Sequence, residues 1–350
     1  MNFVGLDYHT KSSYVSVMND ENEEIWDGRV NSHWELAEFL GNLSDVKVLF
    51  EAGYGWPRLA KMLEDTDVEL LMCHPEANRR IAKDRRKSDQ RDAKNLAVYL
   101  KTNGYKPAFM PDAGIRDQRQ LIRAHIYLTR RITIIKNQIH SLLAYAGLPK
   151  ESFNIFTRKS RQYLETVEVP QFTREVLNVN IESLDLHKDL LKRIDGLIIE
   201  LNRRDPRAKL LKTTPGVGDI TARVILAEIG DISRFPTDKG LACYAGLTQR
   251  QYQSSETRRT MGITKEGSSH MRWVLVQAAW IAIRFDPALR EFYEKLKEKK
   301  NARVAVCAVA RKMIVSAWHI LKKQVPYKPQ RPVSKGKPAV TRGKAEAVSG

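Results

Sequence analysis

The sequence predicts an α/β domain, then a long helical segment, then a mostly helical C-terminal domain. Three observations carry this. Short apolar runs alternate with helical spacings over roughly residues 1–110. A heptad-like spacing of apolar residues begins soon after. From about Arg207 to Gln324 the apolar residues recur at helical intervals, interrupted by a Pro-Gly-Val-Gly turn.

Asn2–Leu6 is a short apolar strand that ends at Asp7. Ser13–Met18 alternates as a second strand, and Glu24–Val30 is a candidate third. Trp34–Leu43 has helical spacing, Val46–Phe50 is a buried-type strand ending at Glu51, and Pro57–Leu63 is a helix with proline in its first turn. Val68–Cys73 reads as a strand, Arg79–Lys87 as a basic loop, and Asp89–Leu100 as a helix. Leu121, Leu128, Ile132, Ile135, Ile139 and Leu142, with His125 filling one position, mark one helical seam, which Gly147 and Pro149 end. Leu190, Ile194, Leu197 and Leu201 mark a second. Two such helices form a coiled-coil arm, either folded on itself as a hairpin or paired with a second chain. Residues 150–180 carry no pattern that assigns them. Asp219–Glu228, Met271–Ile283 and Arg303–Leu321 are helices, and the tail from Pro326, rich in Pro, Lys, Gly and Ser, is expected to be disordered. The domains are thus 1–110, 111–205 and 206–325, with a basic tail at 326–350.

The 350-residue chain holds 59 Lys+Arg against 41 Asp+Glu, a formal net charge of +18. Such an excess favours a polyanionic partner, nucleic acid first and an anionic membrane surface second. The start, MNFVGLDYHT, lacks the pattern of a signal peptide. No uncharged apolar run approaches the roughly 20 residues that span a bilayer. Cys73, Cys243 and Cys307 are scattered and odd in number, which argues against a disulfide framework or a zinc site. The expectation is a cytoplasmic protein with no membrane association.

Four acids stand out by position. Asp7 and Glu51 end strands, and Asp89 and Asp92 are three apart at a helix start, so they share a face. Each alone is more often a turn residue or a cap, and Asp89 suits an N-cap. Together they form a set of oxygen ligands for a hard divalent cation. Arg79, Arg80, Lys83, Arg85, Arg86 and Lys87 directly precede the second pair and suit a phosphate backbone, unless they are only a solvated loop.

Pro215-Gly216-Val217-Gly218 resembles the turn of a helix-hairpin-helix element, whose exposed N–H groups at a helix start bind phosphate. A ligand-free turn between helices fits it nearly as well. Further on, Ser254 and Ser255 are followed by Arg258, Arg259, Lys265 and Arg272. Cations around a scissile phosphate would stabilise the charge that a serine nucleophile develops. On spacing alone Ser254 is more often a loop serine.

These residues resemble the DEDD insertion-sequence recombinases, which include bridge-RNA-guided transposases and related DNA invertases. The resemblance runs from residue 1 to about 325. It rests on Gly5-Leu6-Asp7, Phe50-Glu51-Ala52-Gly53 and Lys87-Ser88-Asp89-Gln90-Arg91-Asp92-Ala93 in the N-terminal part. In the C-terminal part it rests on Pro215–Gly218, Ala245-Gly246-Leu247, Ser254-Ser255, Ile263-Thr264-Lys265-Glu266-Gly267 and Arg272. The family carries Thr where Ser88 stands and Gly where Ser255 stands. The resemblance implies an RNase H-like (RuvC-like) N-terminal domain, a coiled-coil segment and a serine domain. It implies Mg²⁺ on Asp7, Glu51, Asp89 and Asp92, Ser254 as a nucleophile forming a phosphoserine–DNA link, a homo-oligomer on DNA, and in many members a structured guide RNA. The rival reading is a resolvase-type nuclease that uses the four acids and water, with Ser254 structural.

Overall fold

A computed structural model of the chain describes residues 1–9, 11–74, 88–254 and 257–329, and from 250 to 261 the backbone path alone. They divide into two compact units, one spanning Met1–Asp112 and one beginning at Ala113.

The first unit is a five-stranded mixed sheet. Its strands are β1 (Asn2–Tyr8), β2 (Ser13–Met18), β3 (Glu24–Val30), β4 (Val46–Glu51) and β5 (Glu69–Cys73), in the order β3-β2-β1-β4-β5. The first three pair antiparallel through short turns, while β1–β4 and β4–β5 are parallel. Parallel neighbours need crossovers, and helices α1 (His33–Gly41) and α2 (Trp56–Met62) supply them. Ser32 starts α1 by accepting a hydrogen bond from the Glu35 N–H at 3.1 Å. Strand alternation sorts the side chains. Val4, Leu6, Val15, Val17, Val48 and Phe50 pack with Leu36, Leu40 and Leu59 of α1 and α2. Phe3, Leu49, Leu71 and Cys73 face the other way, onto Leu96 and Leu100 of α3 (Asp89–Lys101). This mixed, helix-covered sheet is compatible with an RNase H-like domain.

The second unit is mostly helical. Helices α4 (Ala113–Tyr145) and α6 (Gln171–Arg204) run antiparallel, joined through the short α5 (Arg161–Thr166). Ile132, Ile135, Ile139 and Leu143 meet Leu177, Ile181 and Leu184, and Ile155 and Leu164 close the end. The segment that carried no sequence pattern is therefore α5 and the first turns of α6. The first seam stands at Leu128, Ile132, Ile135 and Ile139, but Ile122 and Leu143 are buried where Leu121 and Leu142 were expected. The second seam is displaced by one residue: Ile198 is buried and Leu197 is 57% exposed. The inward positions of α6 are Leu177, Ile181, Leu184, Leu191, Asp195, Ile198 and Asn202, at steps of three, four or seven. Two are polar and satisfied. Asp195 meets buried His125 at 2.6 Å, and Asn202 accepts a hydrogen bond from Arg223 at 2.9 Å. A search for apolar periodicity passes over them.

Beyond α7 (Pro206–Leu211), the core is built by α8 (Asp219–Ile229), α9 (Asp238–Tyr244), α10 (Ser269–Phe285), α11 (Pro287–Lys299) and α12 (Ala302–Lys323). By length and composition α12 is apolar enough to cross a membrane, but half of its apolar stretch is buried. Ala305, Val309, Ala310, Met313, Ile314 and Ala317 fill the core. A hairpin of β6 (Gln249–Ser254) and β7 (Thr257–Ile263) interrupts the helices. The sequence, read as mostly helical over this region, assigns no element to this stretch, since Gln249-Arg-Gln-Tyr-Gln-Ser lacks apolar alternation. The expected disorder from Pro326 also needs correction. Tyr327 donates its hydroxyl to Asp286 at 2.7 Å and its N–H to Thr213 at 2.8 Å. The tail from residue 330 lies outside the described residues.

Candidate active site

Gly5 and Asp7 alternate onto one face of β1, and His9, just past the strand end, brings its imidazole to Asp7. A Cβ at Gly5 would lie 1.9 Å from the Ala93 carbonyl oxygen and 2.4 Å from the Ala97 nitrogen. Only glycine lets the backbone of α3 rest directly on the strand. Ser88 caps α3, accepting from the Arg91 N–H at 3.3 Å. The first turn of α3, with Asp89 and Asp92, is thereby set beside Asp7. Anions are favoured at a helix N-terminus, so the helix tolerates two acids there.

Glu51 reaches the same face from the neighbouring strand. Along β4, Val48 and Phe50 point to the α1–α2 side and Leu49 to the α3 side, so Glu51 shares the face of Asp7. The parallel register pairs Leu6 with Phe50, which makes Asp7 and Glu51 the next neighbours.

Donor atoms of Asp7, His9 and Asp89 all lie within 4.8 Å of one another. His9 Nε2 is 3.2 Å from Asp7 Oδ2. Burial raises the Asp7 carboxyl above the usual range; His9 opposes this, and the negative charges of Asp89 and Asp92 add to it. A divalent cation would relieve both the burial and the repulsion, and carboxylates are the ligands that hard cations take. The donor set therefore fits such an ion. Asp27 of β3 supports this corner, accepting from Gln90 of α3 at 2.5 Å and from Tyr14 at 3.1 Å. The reading from sequence missed His9, though its two-residue offset from Asp7 was the available signal. The basic loop residues Arg79, Arg80, Lys83, Arg85, Arg86 and Lys87 lie outside the described residues.

In the second unit, Ser254 is the last residue of β6 and pairs with Thr257 across the hairpin. Arg258 and Arg259 stand opposite Gln253 and Tyr252, and Ser255 lies outside the described residues. The base of the hairpin is rigidly built. Gly246 and Gly267 have φ of +65° and +77°, and a Cβ on them would fall 2.3 Å from the Glu266 oxygen and 2.0 Å from the Tyr244 oxygen. Arg272 donates to the Ala245 carbonyl at 3.3 Å, so it braces this base. Lys265 is exposed, with φ of +57°.

The two turn glycines differ. Gly216, at φ +84°, would place a Cβ 2.2 Å from the Ala278 oxygen, so its bare Cα lets the turn pack on α10. Gly218 is the N-cap of α8 and faces open space. Asp219 beside it is held by Lys212 at 2.7 Å and Asn202 at 3.0 Å. Arg223, only 1% exposed, ties the roots of α4, α6 and α7 to α8 through Gln118, Asn202 and Asp205.

Comparison with known sequences identifies the family. A DEDD transposase family profile matches residues 4–146. A second profile, described as "Transposase IS116/IS110/IS902 family", matches residues 208–294. The transposase of insertion sequence IS1328 from Yersinia enterocolitica is 24% identical over 90% of this chain and 95% of its own length. A pilin gene-inverting protein from Moraxella bovis is 26% identical over 82% of this chain and 83% of its own. The transposase of IS1111A from Coxiella burnetii is 23% identical over 69% and 68%. The fold and these matches define a DNA transposase, an enzyme of DNA recombination. The chain belongs to the IS110 family of insertion-sequence transposases.

Proposed function

We propose that this transposase cuts and rejoins DNA with Mg²⁺ held by Asp7, Glu51, Asp89 and Asp92 and with Ser254 as nucleophile. The observation that supports the reading is that donor atoms of Asp7 and Asp89 lie within 4.8 Å of each other, with the charge of Asp92 felt at Asp7 and Glu51 following Phe50 on the neighbouring strand. In a chain of net charge +18, such a group of acids suits work on a polyanion. A bound divalent ion supplies positive charge to the phosphate and lowers the pKa of a nearby hydroxyl. The Ser254 oxygen bonds to phosphorus as one DNA ester oxygen leaves as a hydroxyl. A DNA hydroxyl then attacks the phosphoserine, restores a phosphodiester and frees the serine. The linkage conserves the ester, so rejoining needs no ATP.

The basic loop at 79–87, Arg258, Arg259 and Lys265 hold phosphates, Gly216 and Gly218 present the turn at the start of α8, and Arg272 keeps the hairpin base in place. The arm of 111–205 acts as a coiled coil that brings two or four chains together. Val179, Leu186 and Leu197 are 64%, 58% and 57% exposed on α6, which supports a helical partner. A structured guide RNA selects the DNA, and the protein works in the cytoplasm without a membrane. The test of the serine is denaturing electrophoresis of labelled DNA after reaction in Mg²⁺. The wild type and Ser255→Ala should yield a protein–DNA adduct, and Ser254→Ala none. An adduct that persists in Ser254→Ala removes Ser254 as the nucleophile.

A further inference from the structure

We propose that His9 is a nitrogen ligand of the carboxylate metal centre and biases that centre toward a transition-metal ion such as Mn²⁺ or Co²⁺ over Mg²⁺. The proposal rests on the reading of Asp7 and Asp89 as metal ligands. Its own observations are the position and spacing of the imidazole.

His9 follows Asp7 by two residues, just past the end of β1 at Tyr8. Its Nε2 lies 3.2 Å from Asp7 Oδ2, and both fall within 4.8 Å of a donor atom of Asp89. Two adjacent ligands on an octahedral ion, each about 2.1 Å from it, stand roughly 3 Å apart. An ion can therefore take the place of the His9–Asp7 hydrogen bond with little movement of either side chain. The His9 side chain is 56% exposed. It is not built into the core, and among the described residues its hydrogen bond is the one to Asp7. When an ion replaces that bond, Nδ1 can carry the proton and the Nε2 lone pair is available to the ion. Imidazole binds first-row transition ions well, and their affinities rise from Mn²⁺ toward Co²⁺. Mg²⁺ takes oxygen ligands and gives up water reluctantly. An all-carboxylate centre lacks this bias; a nitrogen beside Asp7 introduces it.

The experiment is pulsed electron paramagnetic resonance of the full chain loaded with one equivalent of Mn²⁺, with calorimetric titration of Mn²⁺ and Mg²⁺. The wild type should show a directly coordinated nitrogen coupling. His9→Ala should lose the coupling, and its preference for Mn²⁺ over Mg²⁺ should fall about tenfold or more. Asp7→Asn serves as the control for the centre itself and should bind neither ion at this site. If Asp7→Asn abolishes binding but the wild type shows no nitrogen coupling, or His9→Ala retains it, His9 is not a ligand and the carboxylate centre stands. If Asp7→Asn binds Mn²⁺ like the wild type, the carboxylate centre falls and the His9 proposal falls with it.

Discussion

Asp7 is the residue on which the site turns. Burial and the charges of Asp89 and Asp92 hold its carboxyl above the usual range. A carboxyl whose pKa is raised by folding favours the proton-bound form in the native state. Its contribution to stability is complete below the unfolded value and is lost as pH rises through the folded one, so at neutral pH the ion-free protein bears a penalty. Asp7→Asn removes that charge. Without divalent ions at pH 7 its melting temperature should rise by about 2–5 °C. Added Mg²⁺ should stabilise the wild type and leave Asp7→Asn unmoved; scanning calorimetry measures both. A fall in melting temperature for ion-free Asp7→Asn would show that the acid is a structural anchor. The positions of Asp7, Glu51, Asp89 and Asp92 at strand ends and a helix start were legible because acids there break the apolar pattern. His9 was passed over, because its one signal, the two-residue offset from Asp7, means little until the fold sets the imidazole beside the carboxylate.

At the level of elements, the approach of α3 to β1 positions the acids, and Gly5 permits that approach. Gly5→Ala drives a methyl group into the Ala93 carbonyl and should cost about 1–3 kcal/mol by overpacking. It should also weaken divalent-ion binding, since α3 carries Asp89 and Asp92. Gly53→Ala is the matched control, with its nearest atom 3.8 Å from the added methyl. Equal urea midpoints for the two variants would contradict this account of the sheet–helix contact. The strands and helices of the first unit were legible because each buries a periodic apolar face. The arm was legible in outline, but its second seam was read one residue away, since Asp195 and Asn202 occupy inward positions. The β6–β7 hairpin was invisible for a related reason. Glycines packed against carbonyls at its base fix its path, and hydrophobicity does not report such contacts.

Over the whole molecule, the proposed mechanism has the net charge of +18 hold the polyanion while the acids act on it. Binding and chemistry should therefore separate. The arm should assemble the chain, so light scattering should report a dimer or tetramer. A monomer at all working concentrations, with and without nucleic acid, would remove the arm from that role. In the proposed mechanism four acids and one serine serve a single reaction. Its most direct measurement follows two labelled DNA duplexes, supplied with the RNA that co-purifies with the protein, in Mg²⁺ and without ATP. The wild type should give joined products. Asp92→Ala and Ser254→Ala should both give none while binding the same nucleic acid within about threefold, because binding rests on Lys and Arg. If Ser254→Ala still cuts and releases free DNA ends while Asp92→Ala does not, the acids act through water, and the account of a shared reaction is contradicted.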